Sequence, residues 1–145
     1  MNFTIRTTET IDEAVRSAIL DPLVAHNERE TGIKDHRPLA VLVSDADNNV
    51  IGGLWGRTAW GWLFVELLFV PESLRGRGLG TELMLRAETE ALARGCHDAW
   101  LDTYDFQAPG FYERLGYRSF GELKDYPAGF SRYFMKKALG NVLPR

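Results

Sequence analysis

The 145-residue chain has one cysteine, Cys96. That excludes an internal disulfide and a structural zinc site built on several cysteines, and it fits a reducing compartment. No apolar run reaches the ~18 residues that a spanning helix requires. The opening residues Met1, Asn2, Phe3, Thr4, Ile5 and Arg6 lack the basic-then-apolar layout of a secretion signal. A cytoplasmic protein without a membrane partner is therefore expected. An excess of positive charge is missing too: 17 Lys and Arg oppose 20 Asp and Glu, for a net charge of −3. This lacks the electrostatic footprint of a duplex-DNA binder, so no nucleic-acid partner is expected. His26 and His36 have no other donor at metal-ligand spacing, and no metal is expected. Repeats, linkers and low-complexity stretches are absent, so residues 1–145 are read as one domain.

What is present is an ordinary globular composition, 45% hydrophobic and 26% charged. Residues 3–8 alternate apolar and polar, the pattern of a half-buried strand. Thr10 and Glu13 stand at capping-box spacing, followed by Ile11, Ala14, Val15, Ala18 and Ile19 at helical spacing. Asp21 and Pro22 predict the end of that helix and the start of a second, with Gly32 as its stop. Residues 39–44, 50–60 and 62–70 read as strands joined by tight turns, an antiparallel meander. A Gly- and Arg-rich loop over 72–80 leads into a helix over 81–94, with Leu79, Leu83, Ala87 and Ala91 along one side and Met84 and Leu85 in the core. A strand at 99–104, a short helix at 109–115 and strands at 117–123 and 132–137 complete the order. The expected fold is α/β: a mixed, mostly antiparallel sheet of six to seven strands flanked by about four helices. The crossover from 62–70 through the helix to 99–104 should be parallel and right-handed.

The segment Arg75, Gly76, Arg77, Gly78, Leu79, Gly80 follows a strand and opens a helix. Glycines let a backbone approach a ligand and take unusual dihedrals. The free amides of a helix start attract an anion, and two arginines add charge beside them. A phosphate or pyrophosphate is the natural ligand; the bland alternative is a tight strand-to-helix turn with solvated arginines. It is not a P-loop, because the chain contains no Gly-Lys pair. It is not a dinucleotide fingerprint either, because the third glycine comes one residue too soon and antiparallel strands precede it.

These residues resemble the GNAT family of N-acetyltransferases. Arg75-x-x-Gly78-x-Gly80 matches the family's acetyl-CoA signature, Arg/Gln-x-x-Gly-x-Gly/Ala. The strand ending in Leu67, Leu68, Phe69, Val70 and Pro71 looks like the family's fourth strand. The run Phe111, Tyr112, Glu113, Arg114, Leu115, Gly116, Tyr117 is similar to its later motif, and the order of elements is also the family's. The resemblance covers residues 3 to 139. It implies an acetyl-CoA-dependent N-acetyltransferase that acts by direct attack of a primary amine in a ternary complex. It also implies two parallel strands that splay apart to form a slot for the cofactor. Backbone groups of Leu68, Phe69 and Val70 would pair with the pantetheine arm. The amides of Arg75, Gly76, Arg77, Gly78, Leu79, Gly80 and Thr81 would hold the pyrophosphate. Tyr112 stands where the family places a tyrosine that protonates the departing thiolate; without the motif it reads as a ring packed at a helix–sheet junction. Many relatives carry an asparagine seven residues before that tyrosine, where this chain has Asp105; Gln107 is the candidate substitute.

Glu66 lies in an otherwise apolar strand, so its carboxylate must find a partner or a polar cleft. Some relatives use a glutamate on this strand to take the amine proton through a water. Burial would raise its pKa toward neutrality, which suits a base; the alternative is an exposed or arginine-paired carboxylate. Cys96 and His97 are adjacent on a strand and point to opposite faces, which argues against a dyad. Trp55, Trp60 and Trp62 crowd one hairpin, as cross-strand packing, an acceptor lining or a homodimer face. In the resembled fold the acceptor enters beside Glu28, Glu30, Asp35 and Asp125, which would favour a cationic small-molecule or peptide amine. A rival reading keeps the fold as an acetyl-CoA sensor without turnover. A second, nucleic-acid binding through Arg75, Arg77 and the tail from 132 to 145, is disfavoured by the acidic balance.

Overall fold

The structure is a computed structural model that describes residues 1–140; the end of the basic tail, 141–145, lies outside the described residues. The chain divides into two compact units, Met1–Lys34 and Asp35–Arg145. Within the first, helix α1 spans Glu13–Thr31. Its cap is Asp12, whose Oδ1 accepts from the Val15 N–H at 2.9 Å, and not Thr10. Gly32 ends the helix in the left-handed region, φ 71°, with its N–H on the Glu28 carbonyl. The expected break at Asp21 and Pro22 does not occur: Pro22 lies inside the helix. Proline removes one backbone donor there, but helix formers such as Ala18, Leu20, Leu23 and Ala25 flank it on both sides. Two expected helices are thus one, and the described residues hold three α-helices rather than about four. Residues 3–8 form no strand. This unit has no second strand against which they could satisfy their backbone groups.

The second unit is a six-stranded sheet in the order β1-β2-β3-β4-β6-β5. Strands β1 (Arg37–Ser44), β2 (Val50–Ala59) and β3 (Trp62–Phe69) form the antiparallel meander. In the first turn, Asp45 Oδ1 accepts from the N–H groups of Asp47 and Asn49, each at 2.9 Å, and these donors hold its carboxyl below the usual range. At the second turn Trp60 and Gly61 both take positive φ, 53° and 80°, the geometry that matches strand twist in a two-residue hairpin. A 3₁₀ turn at Glu72–Leu74 leads to helix α2 (Leu79–Ala93), and strand β4 (Asp98–Tyr104) follows. Helix α3 (Pro109–Arg114) and the antiparallel pair β5 (Arg118–Lys124) and β6 (Ser131–Ala138) close the unit. The core lies between the sheet and α2, where Leu54, Leu63, Val65, Ala99, Leu101 and Met135 meet Leu83, Met84, Ala87 and Ala91. Leu85, expected in the core, is 47% exposed. One residue is about 100° of helix rotation, enough to carry it off the face that Met84 shares.

Two irregularities shape the centre of the sheet. Strands β3 and β4 are parallel, but their pairing runs only from Trp62↔Asp98 to Val65↔Leu101, while β3 continues to Phe69 and β4 to Tyr104. The β2–β3 ladder also slips: Trp55 pairs with Leu67 and Gly56 with Val65, so Glu66 has no counterpart. Gly56 permits this bulge, because a Cβ there would overlap the Phe64 carbonyl oxygen. No helix of the described residues is long and apolar enough to cross a membrane.

Candidate active site

Helix α2 begins without a side-chain cap: Gly78 is its N-cap residue at φ 74°. The amides of Leu79, Gly80 and Thr81 therefore have no intrahelical acceptor, and the helix dipole adds a partial positive charge at the same place. Gly76, at φ 79°, is left-handed as well, and a Cβ at either glycine would meet nothing within 4 Å. The space above this loop is open. Gly80 has the opposite surroundings: a Cβ there would stand 3.2 Å from the Phe111 ring, so the loop packs closely onto α3. A groove of about 560 Å³ runs along the exposed face of α2 from Gly78 and Thr81 to Thr89 and Glu90.

The two arginines divide. Arg75 Nε donates to the Val70 carbonyl at 3.0 Å, and its guanidinium lies 5.9 Å from the Phe69 ring centre. Arg75 thus braces the end of β3. Arg77 is exposed. Leu68 and Phe69 pair with Leu54 and Gly53 of β2 on one side; on the other they lie beyond the β4 register.

Tyr112 is partly buried on α3, between the rings of Phe111 at 5.1 Å and Tyr117 at 6.1 Å, both edge-on. Burial pushes its hydroxyl up to about 12, and the negative charge of Asp102 adds to the shift. It is a protonated donor throughout the neutral range. Behind it, Tyr117 donates to Glu88 Oε2 at 2.8 Å, and Lys137 Nζ lies 2.7 Å from Glu88 Oε1. Burial, then Glu88, pushes the Tyr117 hydroxyl above the ordinary tyrosine range. This network pins α2, the start of β5 and β6 together. Its sequence signal is Glu88 standing four residues from buried Met84 and one from Ala87, a carboxylate on an apolar face.

Glu66 is not buried. Its side chain is 48% exposed and lies 4.0 Å from Arg57 Nη1. The bulge turns it out of the ladder, and it is the exposed, arginine-facing carboxylate of the two alternatives. Asp105 and Gln107 are both used in the turn after β4. Asp105 Oδ2 accepts from the Ser131 N–H at 2.9 Å. Gln107 Oε1 accepts from the Thr103 hydroxyl at 3.1 Å and the Tyr104 N–H at 3.3 Å. Of the acidic acceptor candidates, Asp35 accepts from the Trp60 N–H, and Asp125 accepts from the Gly129 N–H at 3.3 Å. Glu28 and Glu30 lie on α1. Cys96 is buried, which pushes its thiol up, whereas His97 is exposed and bonded to Asp98. Trp62 meets the His97 ring edge-on at 6.0 Å, while Trp55 and Trp60 are each half exposed.

Sequence reasoning missed one cluster. Asp102 Oδ1 receives both Nε and Nη2 of Arg132, at 2.9 and 2.8 Å. The Arg132 guanidinium lies 5.4, 5.1 and 5.2 Å from the ring centres of Tyr104, Tyr126 and Phe134. Phe106 stacks on Tyr104 at 5.0 Å and meets Phe130 edge-on at 5.2 Å. These residues come from β4, the turn after it, and the β5–β6 hairpin. The available signal was the local density of aromatics at 104–106 and 126–130.

A sequence model of the acetyltransferase (GNAT) family matches residues 8–117. An acetyltransferase of Agrobacterium fabrum is 43% identical over 137 residues, covering 94% of this chain and 98% of that protein. Blasticidin-S acetyltransferase of Streptomyces morookaense is 43% identical over 115 residues, covering 77% and 85%. A crystal structure of an acetyltransferase from Agrobacterium tumefaciens superposes with TM-score 0.88 at 42% identity, covering 96% of this chain and all of that one. With the glycine-capped start of α2, the shortened β3–β4 pairing and the protonated Tyr112 already in place, the chain belongs to the GNAT family of acetyltransferases and is an N-acetyltransferase.

Proposed function

We propose that the chain transfers the acetyl group of acetyl-CoA to the primary amine of a small molecule by direct attack in a ternary complex. The observation that carries this reading is the parting of β3 from β4 after Val65 and Leu101, next to the uncapped start of α2. The parted strands are the splayed pair of the family, and the open edge of β3 at Leu68 and Phe69, followed by Val70, presents the backbone groups for a pantetheine arm. The amides from Arg75 to Thr81 hold the pyrophosphate; the uncapped helix start and the open space above Gly76 and Gly78 fit an anion there. Arg75 supports this site through Val70 rather than by reaching a phosphate. Acetyl-CoA supplies the acetyl group as a thioester, which the acceptor nitrogen attacks with loss of the thiol. Tyr112 donates its hydroxyl proton toward the leaving sulfur. Glu66, exposed on β3, takes the amine proton through a bridging water.

The relative named for blasticidin-S supports a small-molecule amine, an antibiotic among them, as acceptor. The family match from 8 to 117 runs through both compact units, which supports a single catalytic domain over the whole chain. A cytoplasmic enzyme fits this reading, as does a homodimer through the hairpin bearing the half-exposed Trp55 and Trp60. The test is release of free CoA thiol from acetyl-CoA with a panel of primary amines, beside calorimetric titration of acetyl-CoA alone. Binding with amine-dependent release supports the reading. Binding without release from any amine identifies a sensor, and no binding overturns the cofactor assignment.

A further inference from the structure

The cluster around Arg132 has no part in holding the cofactor in the reading above. It stands where β4 has just left β3. Asp102 is the first β4 residue past the last parallel pair, Val65↔Leu101. Its side chain is only 18% exposed, and both Arg132 nitrogens fall on the same oxygen, Oδ1. Among the described residues nothing hydrogen-bonds Oδ2, an acceptor atom with capacity to spare.

Beside it stand three rings that the fold leaves open. Phe106 is 54% exposed, Tyr126 44% and Phe130 45%. They are not scattered surface aromatics. Tyr104 joins them, stacked on Phe106 at 5.0 Å and tilted 6.0 Å from Tyr126, and Phe130 meets Phe106 edge-on. Two segments far apart in sequence, 104–106 and 126–130, converge to build this wall. It already takes a flat cation from within the chain, since the Arg132 guanidinium lies within 5.4 Å of the Tyr104 and Tyr126 ring centres.

We propose that the acceptor is an amine carrying a flat, delocalised group, that Phe106, Tyr126 and Phe130 stack on that group, and that Asp102 Oδ2 receives the amine nitrogen. This rests on the acetyltransfer reading and adds the class of acceptor to it. The chemistry separates flat groups from aliphatic ones. A guanidinium or heteroaromatic ring is weakly hydrated and stacks face to face, whereas an alkylammonium is a compact, strongly hydrated charge that gains less from the same rings. Asp105 and Asp125 stand in the turns that carry these rings, and each accepts a backbone N–H, so a positively charged acceptor would meet carboxylates there. Asp102 also lies within electrostatic range of the Tyr112 hydroxyl.

The experiment uses matched amines. Agmatine and 1,5-diaminopentane carry the same charge and differ in whether the distal cation is delocalised; tryptamine and hexylamine differ in the flat ring. Expected is a kcat/KM several-fold to about tenfold higher for the flat member of each pair, the scale of one ring contact. Phe106→Ala and Phe130→Ala should each lower that advantage several-fold, mainly through KM, with acetyl-CoA affinity by calorimetry at the wild-type value. Asp102→Asn should raise KM for all four amines. Equal kcat/KM within each pair, in an enzyme that binds acetyl-CoA and turns the amines over, overturns this assignment and leaves the acetyltransfer reading standing. Failure to bind acetyl-CoA removes that reading and this one with it.

Discussion

Replacing Tyr112 by phenylalanine removes one oxygen and keeps the ring between Phe111 and Tyr117. Among the described residues the hydroxyl has no hydrogen-bond partner, so its loss leaves no buried group stranded. Stability should stay within about 0.5 kcal/mol of wild type, as for a substitution that disturbs none of the usual structural features. The rate is another matter, and the hydroxyl's own acidity bounds the effect. Its pKa of about 12 stands about 3.5 above that of an ordinary thiol near 8.5. Full transfer of that proton to the departing sulfur would be uphill by about 5 kcal/mol at 1.36 kcal/mol per pH unit. Tyr112 therefore acts as a hydrogen-bond donor to developing charge more than as a completed acid. Its contribution falls at or below the low end of the ~10²–10⁴-fold range of general acid catalysis, and a loss of about 10- to 100-fold in kcat is expected. KM for acetyl-CoA should hardly move, because the lost interaction matters in the transition state alone. The assay is thiol release at saturating acceptor, with a burst measurement to establish that chemistry limits turnover. Below pH 11 the variant and wild-type profiles should run parallel, since the Tyr112 proton stays on throughout. Wild-type turnover by the variant, with chemistry limiting, would show the hydroxyl to be a packing group and sink the argument.

Gly78→Val places a branched side chain at φ 74° but in open space, so the fold should survive with about 1–2 kcal/mol of strain. Acetyl-CoA affinity should be lost, and calorimetry giving near-native binding would mean that the loop is a turn and nothing more. Glu66→Gln should leave stability unchanged, its ion pair being long and exposed, while the kcat deficit should shrink as pH rises and the acceptor arrives deprotonated; a pH-independent deficit rejects the base assignment. Tyr117 has its pKa raised in the fold over an unfolded value near 10, so the unfolded chain releases that proton first. The stability this proton carries is fully present below pH 10 and declines above it, by up to about 1.4 kcal/mol per pH unit. Urea melts at pH 9 to 11.5 should show a gentler decline for Tyr117→Phe than for wild type, and identical slopes would refute the linkage.

What was legible in this chain follows the range of the interactions involved. The meander, the parallel crossover and α2 announce themselves through alternation, turn residues and 3.6-residue spacing, all local signals, and they stand within a few residues of where they were expected. The glycine loop was legible for the same reason, since positive φ at Gly76 and Gly78 is a demand made by the backbone itself. Pro22 shows where a local rule gives way: proline costs one donor, and good helix formers on both sides carry α1 past it. Residues 3–8 show the converse, because alternation describes a strand's faces but cannot supply a neighbour to pair with. Glu66 depended on a ladder slip opposite Gly56, which alternation alone would have hidden. The Asp102–Arg132 pair lies further out of reach. Its members are 30 residues apart and meet because β4 and β6 are paired with Asp102 opposite Phe134 and Tyr104 opposite Arg132. That register brings the turn after β4 under the β5–β6 hairpin and turns aromatics from separate segments into one wall. The proposed cofactor site rests on backbone geometry and could be read locally; the proposed acceptor wall is assembled from strand order and emerges once the sheet is formed.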